Sequence, residues 1–124
     1  MIDIKSLRLG NWVKVGDQES IVDYLNLDSD GIGLQGNGVV NRSEEVEGIP
    51  LTEIVIAKCG FGRKNHGWIW QPDWQNIEYR LVFFNSEWIL SRGFSDYSEL
   101  VPIKFLHRLQ NVIYALEGQE LIIK

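Results

Sequence analysis

The chain contains 124 residues, which is the length of one ordinary domain. Its composition, with 44% apolar and 23% charged residues, is close to the globular average and excludes a largely disordered protein. The formal net charge of -5 argues against non-specific binding to nucleic acid, which requires a surface rich in Lys and Arg. Cys59 is the single cysteine, so no disulfide can form within the chain.

The N-terminal segment and the apolar runs bear on where the protein works. Residues 1–5 lack the apolar stretch of a signal peptide, and continuous apolar runs such as 81–84 are too short to span a bilayer. We therefore expect a cytoplasmic protein without a membrane partner.

The first third of the chain, residues 7–42, has the pattern of short antiparallel strands. Apolar and polar residues alternate from Leu7 to Val15, and a second such run extends over residues 19–27. Asp30-Gly31 predicts a hairpin turn, because both residue types tolerate positive φ. We expect a small curved antiparallel sheet or partial barrel on this N-terminal side.

The middle of the chain predicts one short helix and a further hairpin. Thr52 is a candidate N-cap and Gly60 a candidate C′ residue, which places a helix at about residues 52–59. Alternating runs within 66–92 are separated by Asn85-Ser86, a two-residue turn that predicts a hairpin.

The clearest element is an amphipathic helix at about residues 102–117. Pro102 suits its first turn and Gly118 its C-terminal end. The sequence as a whole therefore predicts a single α+β domain over residues 1–124. One face of this helix is expected to be buried and carries Phe105, Leu106, Leu109, Val112, Ile113 and Leu116.

No sequence motif for catalysis or cofactor binding is present in a suitable context. Gly31–Gly36 matches G-x-G-x-x-G, but poor helix-forming residues follow it, so a hairpin is the better interpretation. Cys59 is expected at the C-terminal end of a helix, where nothing lowers its pKa, and we expect it to be inert. His66, His107 and Cys59 form no paired ligand motif, so we expect no metal and no cofactor.

A strip of polar side chains on the C-terminal helix is the first candidate binding site. The four residues fall within an arc of about 100°, opposite the apolar face, and could form a hydrogen-bonding recognition surface. The alternative is that they are solvated, face a sheet or cap neighbouring strands. The residues of this strip are His107, Gln110, Asn111 and Tyr114.

Clustered tryptophans form the second candidate. Exposed rings could stack on sugars, bases or the apolar side chains of a peptide. The alternative is that they fill the core, as aromatic residues in strands usually do. The residues of this tryptophan region are Trp68, Trp70, Trp74 and Trp88.

Three segments together resemble a known group of proteins. The first segment is residues 7–13, and the second begins with residues 49–53 and ends with residues 58–61. The third, in and just after the C-terminal helix, consists of residues 106–111, 114–116, Gly118 and 120–121. On these residues the chain resembles small proteins of Bacteroidetes bacteria and of their phages and mobile elements. The resemblance covers about 6–61 and 100–122 and implies a cytoplasmic protein of prophage origin. It implies no activity, cofactor or catalytic residue.

These observations favour a non-enzymatic interaction module, an accessory protein of a phage or mobile element that binds a protein partner through the helix strip. An alternative is a ligand-binding protein whose tryptophan region holds a carbohydrate or a single-stranded nucleic acid. A third hypothesis is a small hydrolase-like enzyme with His107 as its base. The sequence leaves the oligomeric state open.

Overall fold

The fold combines two sheets with two α-helices. The computed structural model describes residues 2–36, 38–65, 67–72, 77–93 and 97–124, with the backbone alone at 97–100. These residues form two antiparallel five-stranded sheets and two α-helices, which confirms the predicted α+β class. None of the helices in the described ranges is both long enough and apolar enough to cross a membrane.

Internal contacts divide the chain into two compact units. Unit 1 comprises Met1–Pro50 and Phe105–Asn111, and unit 2 comprises Leu51–Lys104 and Val112–Lys124. One boundary between the units therefore falls inside the C-terminal helix. The single domain expected from the sequence stays a prediction.

Unit 1 contains a sheet with the strand order β4-β3-β2-β1-β5. Asp30, with φ of 56°, forms the predicted turn that leads into β3. The first strand begins at Trp12 and not near Leu7, because the Asn11 side chain accepts a hydrogen bond from Arg8 N at 2.8 Å and closes a turn. The strands are β1 (Trp12–Val15), β2 (Gln18–Asn26), β3 (Gly31–Leu34), β4 (Val40–Arg42) and β5 (Glu47–Gly48).

The inner face of this sheet forms the core of unit 1. Alternate residues of the strands point inward, and the 3₁₀ turns Ile4–Ser6 and Ser43–Glu45 flank the remaining core positions. The buried cluster consists of Ile2, Val13, Val22, Ile32, Leu34 and Val46.

Unit 2 contains the second sheet, with the strand order β10-β9-β8-β7-β6, and helix α1 (Glu53–Lys58). The Thr52 hydroxyl accepts a hydrogen bond from Val55 N at 3.2 Å, and Gly60 has a φ of 90°, so both ends of α1 are formed by the expected residues. Asn85 and Ser86 form the tight turn between β8 and β9. The strands are β6 (Gly62–Lys64), β7 (Gly67–Trp70), β8 (Glu78–Phe84), β9 (Glu87–Gly93) and β10 (Tyr97–Ile103).

The C-terminal helix α2 spans Leu106–Glu117, so the predicted start near 102 is wrong. Pro102 lies in β10 opposite Ile89, because an edge strand tolerates a residue that has no N–H group. The predicted buried face is wrong in part as well. Leu116 is 45% exposed, whereas Gln110 and Glu117 are buried, because these two polar side chains find partners within their own units.

Candidate functional site

The helix strip predicted from the sequence is largely buried. His107 and Gln110 are 3% and 1% exposed, Asn111 is half-buried, and Tyr114 is 44% exposed. The first three belong to unit 1, where they are brought together against residues 6–12, and Tyr114 belongs to unit 2.

Gln110 and Asn111 make an amide clamp, a name used here for these two side chains together. Gln110 Oε1 accepts a hydrogen bond from Trp12 N at 2.8 Å, and its Nε2 donates to Gly10 O at 3.2 Å. Asn111 Nδ2 donates to Ser6 O at 2.8 Å, while its Oδ1 accepts from Asn11 Nδ2 at 2.8 Å. The clamp therefore holds the segment that leads into β1, and a role for it in recognising a partner stays a prediction.

His107 has an apolar environment in unit 1. Its ring stacks on Phe105 with 5.8 Å between centroids, and its Nε2 lies 3.4 Å from Ser6 Oγ. Burial, and to a smaller degree the charge of Arg108, lowers the pKa of His107 to about 4. The imidazole is therefore neutral at pH 7 and shielded from solvent, whereas a general base must reach its substrate.

The tryptophans are partly covered by neighbours within unit 2. Trp70 lies between Phe61 and Tyr79, with ring centroids at 6.3 Å and 5.7 Å. Trp88 Nε1 donates a hydrogen bond to Leu51 O at 3.2 Å. Trp68 is half-buried, and Trp74 lies outside the described residues.

The other sequence motifs occupy structural positions. Gly31 and Gly33 lie in β3 and pair with β2 and β4, so the glycine motif does not open a helix, as dinucleotide binding would require. Burial raises the pKa of the Cys59 thiol to about 12, which disfavours the reactive thiolate. Within the described ranges, no group of three His, Cys, Asp or Glu side chains could hold a metal ion.

The outer face of the unit 1 sheet has an unusual glycine floor. Tyr24, Gly33 and Val40 are directly opposed on β2, β3 and β4. A Cβ at Gly33 would lie 2.8 Å from Tyr24 Cβ and 3.2 Å from Asp23 Oδ1, and one at Gly31 would lie 3.0 Å from Val40 Cγ1. Only glycine therefore lets these side chains lie this close to the sheet. We call Asp23, Tyr24, Gly31, Gly33 and Val40 the glycine-floored face.

Apolar groups of this face are open to solvent. Tyr24 is 45% and Val40 is 61% exposed, and the Tyr24 hydroxyl accepts a hydrogen bond from Asn26 Nδ2 at 3.2 Å. The half-buried pair Trp12 and Ile21 continues the same outer face on β1 and β2. The result is an apolar strip across the strands, with β4 at the edge of the sheet.

The unit that carries this strip has a negative net charge. Unit 1 holds nine acidic and five basic residues, a formal net charge of -4, whereas unit 2 holds eight and seven, a net charge of -1. Lys14 on the outer face lies 3.9 Å from Glu47. Glu19 and Asp23 are exposed on that face and belong to none of the ion pairs among the described residues.

Sequence reasoning missed Tyr24. The available signal was two glycines alternating in a predicted strand, one hairpin away from an aromatic residue. Such glycines often mark a place where an aromatic side chain crosses a neighbouring strand. Counting back from the Asp30-Gly31 turn would have placed Tyr24 close to Gly33.

Comparison with known proteins gives no family for the chain. No protein-family model matches it, and no curated protein and no solved structure shows significant similarity to it.

Proposed function

We propose that the protein is a non-enzymatic interaction module that binds a protein partner through the glycine-floored face of unit 1. The observation that carries this proposal is the exposure of Tyr24 and Val40 over a floor formed by Gly31 and Gly33. Exposed apolar strips framed by polar residues mark interaction sites, and tyrosine is enriched at such interfaces.

The charge of unit 1 favours a protein over a nucleic acid. Nucleic-acid binding gains most of its affinity when Lys and Arg neutralise phosphates, and a net charge of -4 opposes that contact. The exposed acids Glu19 and Asp23 add local repulsion of phosphates on this face.

The amide clamp has a positioning role in this proposal. Its hydrogen bonds to Gly10 O and Trp12 N fix the segment that leads into β1, and Trp12 belongs to the apolar strip. Gln110 and Asn111 would therefore influence binding through the position of Trp12 and not through contact with the partner.

The cellular context is part of the same proposal. We place the protein in the cytoplasm as an accessory protein of a phage or mobile element, and the support for this is the resemblance of residues 6–61 and 100–122 to such proteins.

The test compares capture of proteins from a Bacteroidetes lysate by the native chain and by a Tyr24→Ser/Val40→Ser variant, with quantification after cross-linking. Ile54→Ser is the matched control, because Ile54 is an exposed apolar residue of unit 2. The native chain and the control should capture one protein saturably, and the face variant should lose it. Equal capture by all three proteins, or capture of none, would contradict the proposal.

A further inference from the structure

We infer that the occupant of the glycine-floored face is an extended segment of a partner protein in which a Lys or Arg stands close to an apolar residue. This inference rests on the proposed function and adds to it the chemistry of the partner and its mode of binding. It depends on three features of unit 1: the shape of the face, the exposed carboxylates of Glu19 and Asp23, and the position of β4 at the edge of the sheet.

The shape of the face suits an apolar side chain. Tyr24 and Val40 stand on strands separated by β3, and because neighbouring strands lie about 4.8 Å apart, their backbones are about 10 Å apart. Gly33 adds no side chain between them, and the Tyr24 side chain occupies the space that a Cβ on Gly33 would need. An apolar side chain of a partner would contact the exposed parts of Tyr24 and Val40 together.

The charges of the face suit a cation beside that apolar side chain. Asp23 occupies the irregular position between Val22 and Tyr24 in β2, where the pairing with β3 shifts register. Its Oδ1 lies 3.2 Å from the position of a Cβ on Gly33, which places the carboxylate next to the apolar contact. A Lys or Arg of the partner would meet an exposed carboxylate that belongs to none of the ion pairs among the described residues.

The basic residues of the face do not reverse this preference. Lys14 already lies 3.9 Å from Glu47. Arg42 is an exposed basic residue opposite Gly31 at the end of β4, but a carboxylate lies next to it, because Glu45 Oε1 accepts a hydrogen bond from the backbone N of Arg42 at 3.0 Å. The net charge of -4 on unit 1 would repel an acidic segment, so charge complementarity selects a basic one.

The edge strand supports an extended conformation of the bound segment. The strand β4 lies at the edge of its sheet and contains no proline, so its N–H groups can pair with an added strand, and Arg42 at its end is its one charged residue. Val40 on this strand is exposed and belongs to the face. A peptide strand added to β4 would extend the sheet and place alternate side chains beside Val40. From there a Lys or Arg side chain would extend across β4 towards the Asp23 carboxylate next to Gly33.

Selection of a random peptide library on the immobilised full chain tests the inference. The selected peptides are then measured against three variants: Asp23→Lys, the Tyr24→Ser/Val40→Ser face variant, and Asp17→Lys. Asp17→Lys is the matched control, because Asp17 is an exposed acid of the same unit in the turn between β1 and β2. Thermal unfolding of each variant shows whether the fold is retained.

The expected peptides pair Lys or Arg with an apolar residue. Their affinity should fall about tenfold with Asp23→Lys, fall at high salt, and be unchanged by Asp17→Lys. Peptides that depend on Tyr24 and Val40 but are not basic and ignore Asp23 would overturn this inference and leave the proposed function standing. Peptides that ignore all three face residues, or the absence of any enriched peptide, would overturn the inference, and the lysate experiment then decides the proposed function separately.

Discussion

The two units use different chemistry to anchor the part of α2 that each contains. In unit 1 the anchor is the amide clamp, whose neutral side chains bond mainly to the backbone of residues 6–12. An amide side chain offers both hydrogen-bond donors and an acceptor. The oxygen of Gln110 accepts from Trp12 N, and its nitrogen donates to Gly10 O. Each of these hydrogen bonds forms without burying a charge.

In unit 2 the anchor is a buried carboxylate. The Tyr79 hydroxyl donates a hydrogen bond to Glu117 Oε2, and Arg92 Nη2 lies 3.5 Å from the same oxygen. Burial, followed by the hydrogen bond and the charge of Glu117, raises the pKa of Tyr79, so the phenol stays protonated as a donor. Glu117 Oε1 and Arg92 Nε are buried without a hydrogen-bond partner among the described residues.

The comparison of the two anchors shows that the free-energy cost of burying a polar side chain is higher for a carboxylate than for an amide. A carboxylate accepts at about four sites and carries a full charge, so a few donors satisfy it only in part. An amide satisfied by backbone groups has no such deficit. We therefore expect unit 2 to respond more strongly than unit 1 to loss of its anchor.

Glu117→Ala is the strongest test of this contrast. The change leaves the Tyr79 hydroxyl and the Arg92 guanidinium without their acceptor and opens a cavity, so we expect a loss of about 3 kcal/mol in the free energy of unfolding. Arg92 is 36% exposed at its side chain, so solvent screens its share, and most of the loss comes from Tyr79 and the cavity. Urea unfolding measures the effect, with the exposed Glu87→Ala as control. A loss no larger than that of the control would contradict the role of the carboxylate.

Gln110→Ala tests the other side of the comparison. Trp12 N and Gly10 O lose their partners, and a buried side chain is truncated, so we expect a loss of about 2 kcal/mol. Gln35→Ala is the matched control, because Gln35 is an exposed amide of the same unit. If Gln110→Ala cost more than Glu117→Ala in the same urea titration, the contrast between the two anchors would be reversed.

The buried His107 of unit 1 should make the free energy of unfolding depend on pH. Its folded pKa of about 4 lies below the ordinary histidine value of 6.5, so the unfolded chain binds the proton more tightly. The contribution of neutral His107 to stability is therefore complete above about pH 6.5 and is lost as the pH falls towards 4. Near pH 5.5 this loss is about 1 kcal/mol.

Carboxylates also titrate in this range, so the informative quantity is the difference between the native chain and His107→Gln. That difference in unfolding free energy should shift by about 1 kcal/mol between pH 7 and pH 5.5, in favour of the variant at the lower pH. A difference independent of pH would show that His107 does not titrate as its burial implies.

The sequence predicted the local features of the fold well. The turns at Asp30-Gly31 and Asn85-Ser86 and the caps of α1 depend on the backbone preferences of a few residues, which neighbours in the chain reveal. From the sequence alone Pro102 fits the start of a helix, because proline is tolerated both in the first helical turn and in an edge strand. Only the strand order distinguishes the two positions.

The periodicity of the helix could not predict which of its polar residues are buried. Gln110 and Glu117 look like solvated positions on a helical wheel, and their partners are distant in sequence, at 10–12 and at 79 and 92. A residue such as Glu117 becomes a core residue only through pairing that tertiary structure creates. The same holds for Tyr24, whose importance depends on the register with Gly33.

Pro102 has a consequence for the solubility of unit 2. It lies on β10, an outer strand of its sheet, and offers no N–H group to an incoming strand. On the opposite edge, β6 carries the exposed side chains of Arg63 and Lys64. Charged residues on an edge strand disfavour pairing with the edge of a second sheet. Each edge of this sheet thus carries a feature that natural proteins use against edge-to-edge aggregation, which protects an aromatic-rich sheet from growing by strand addition.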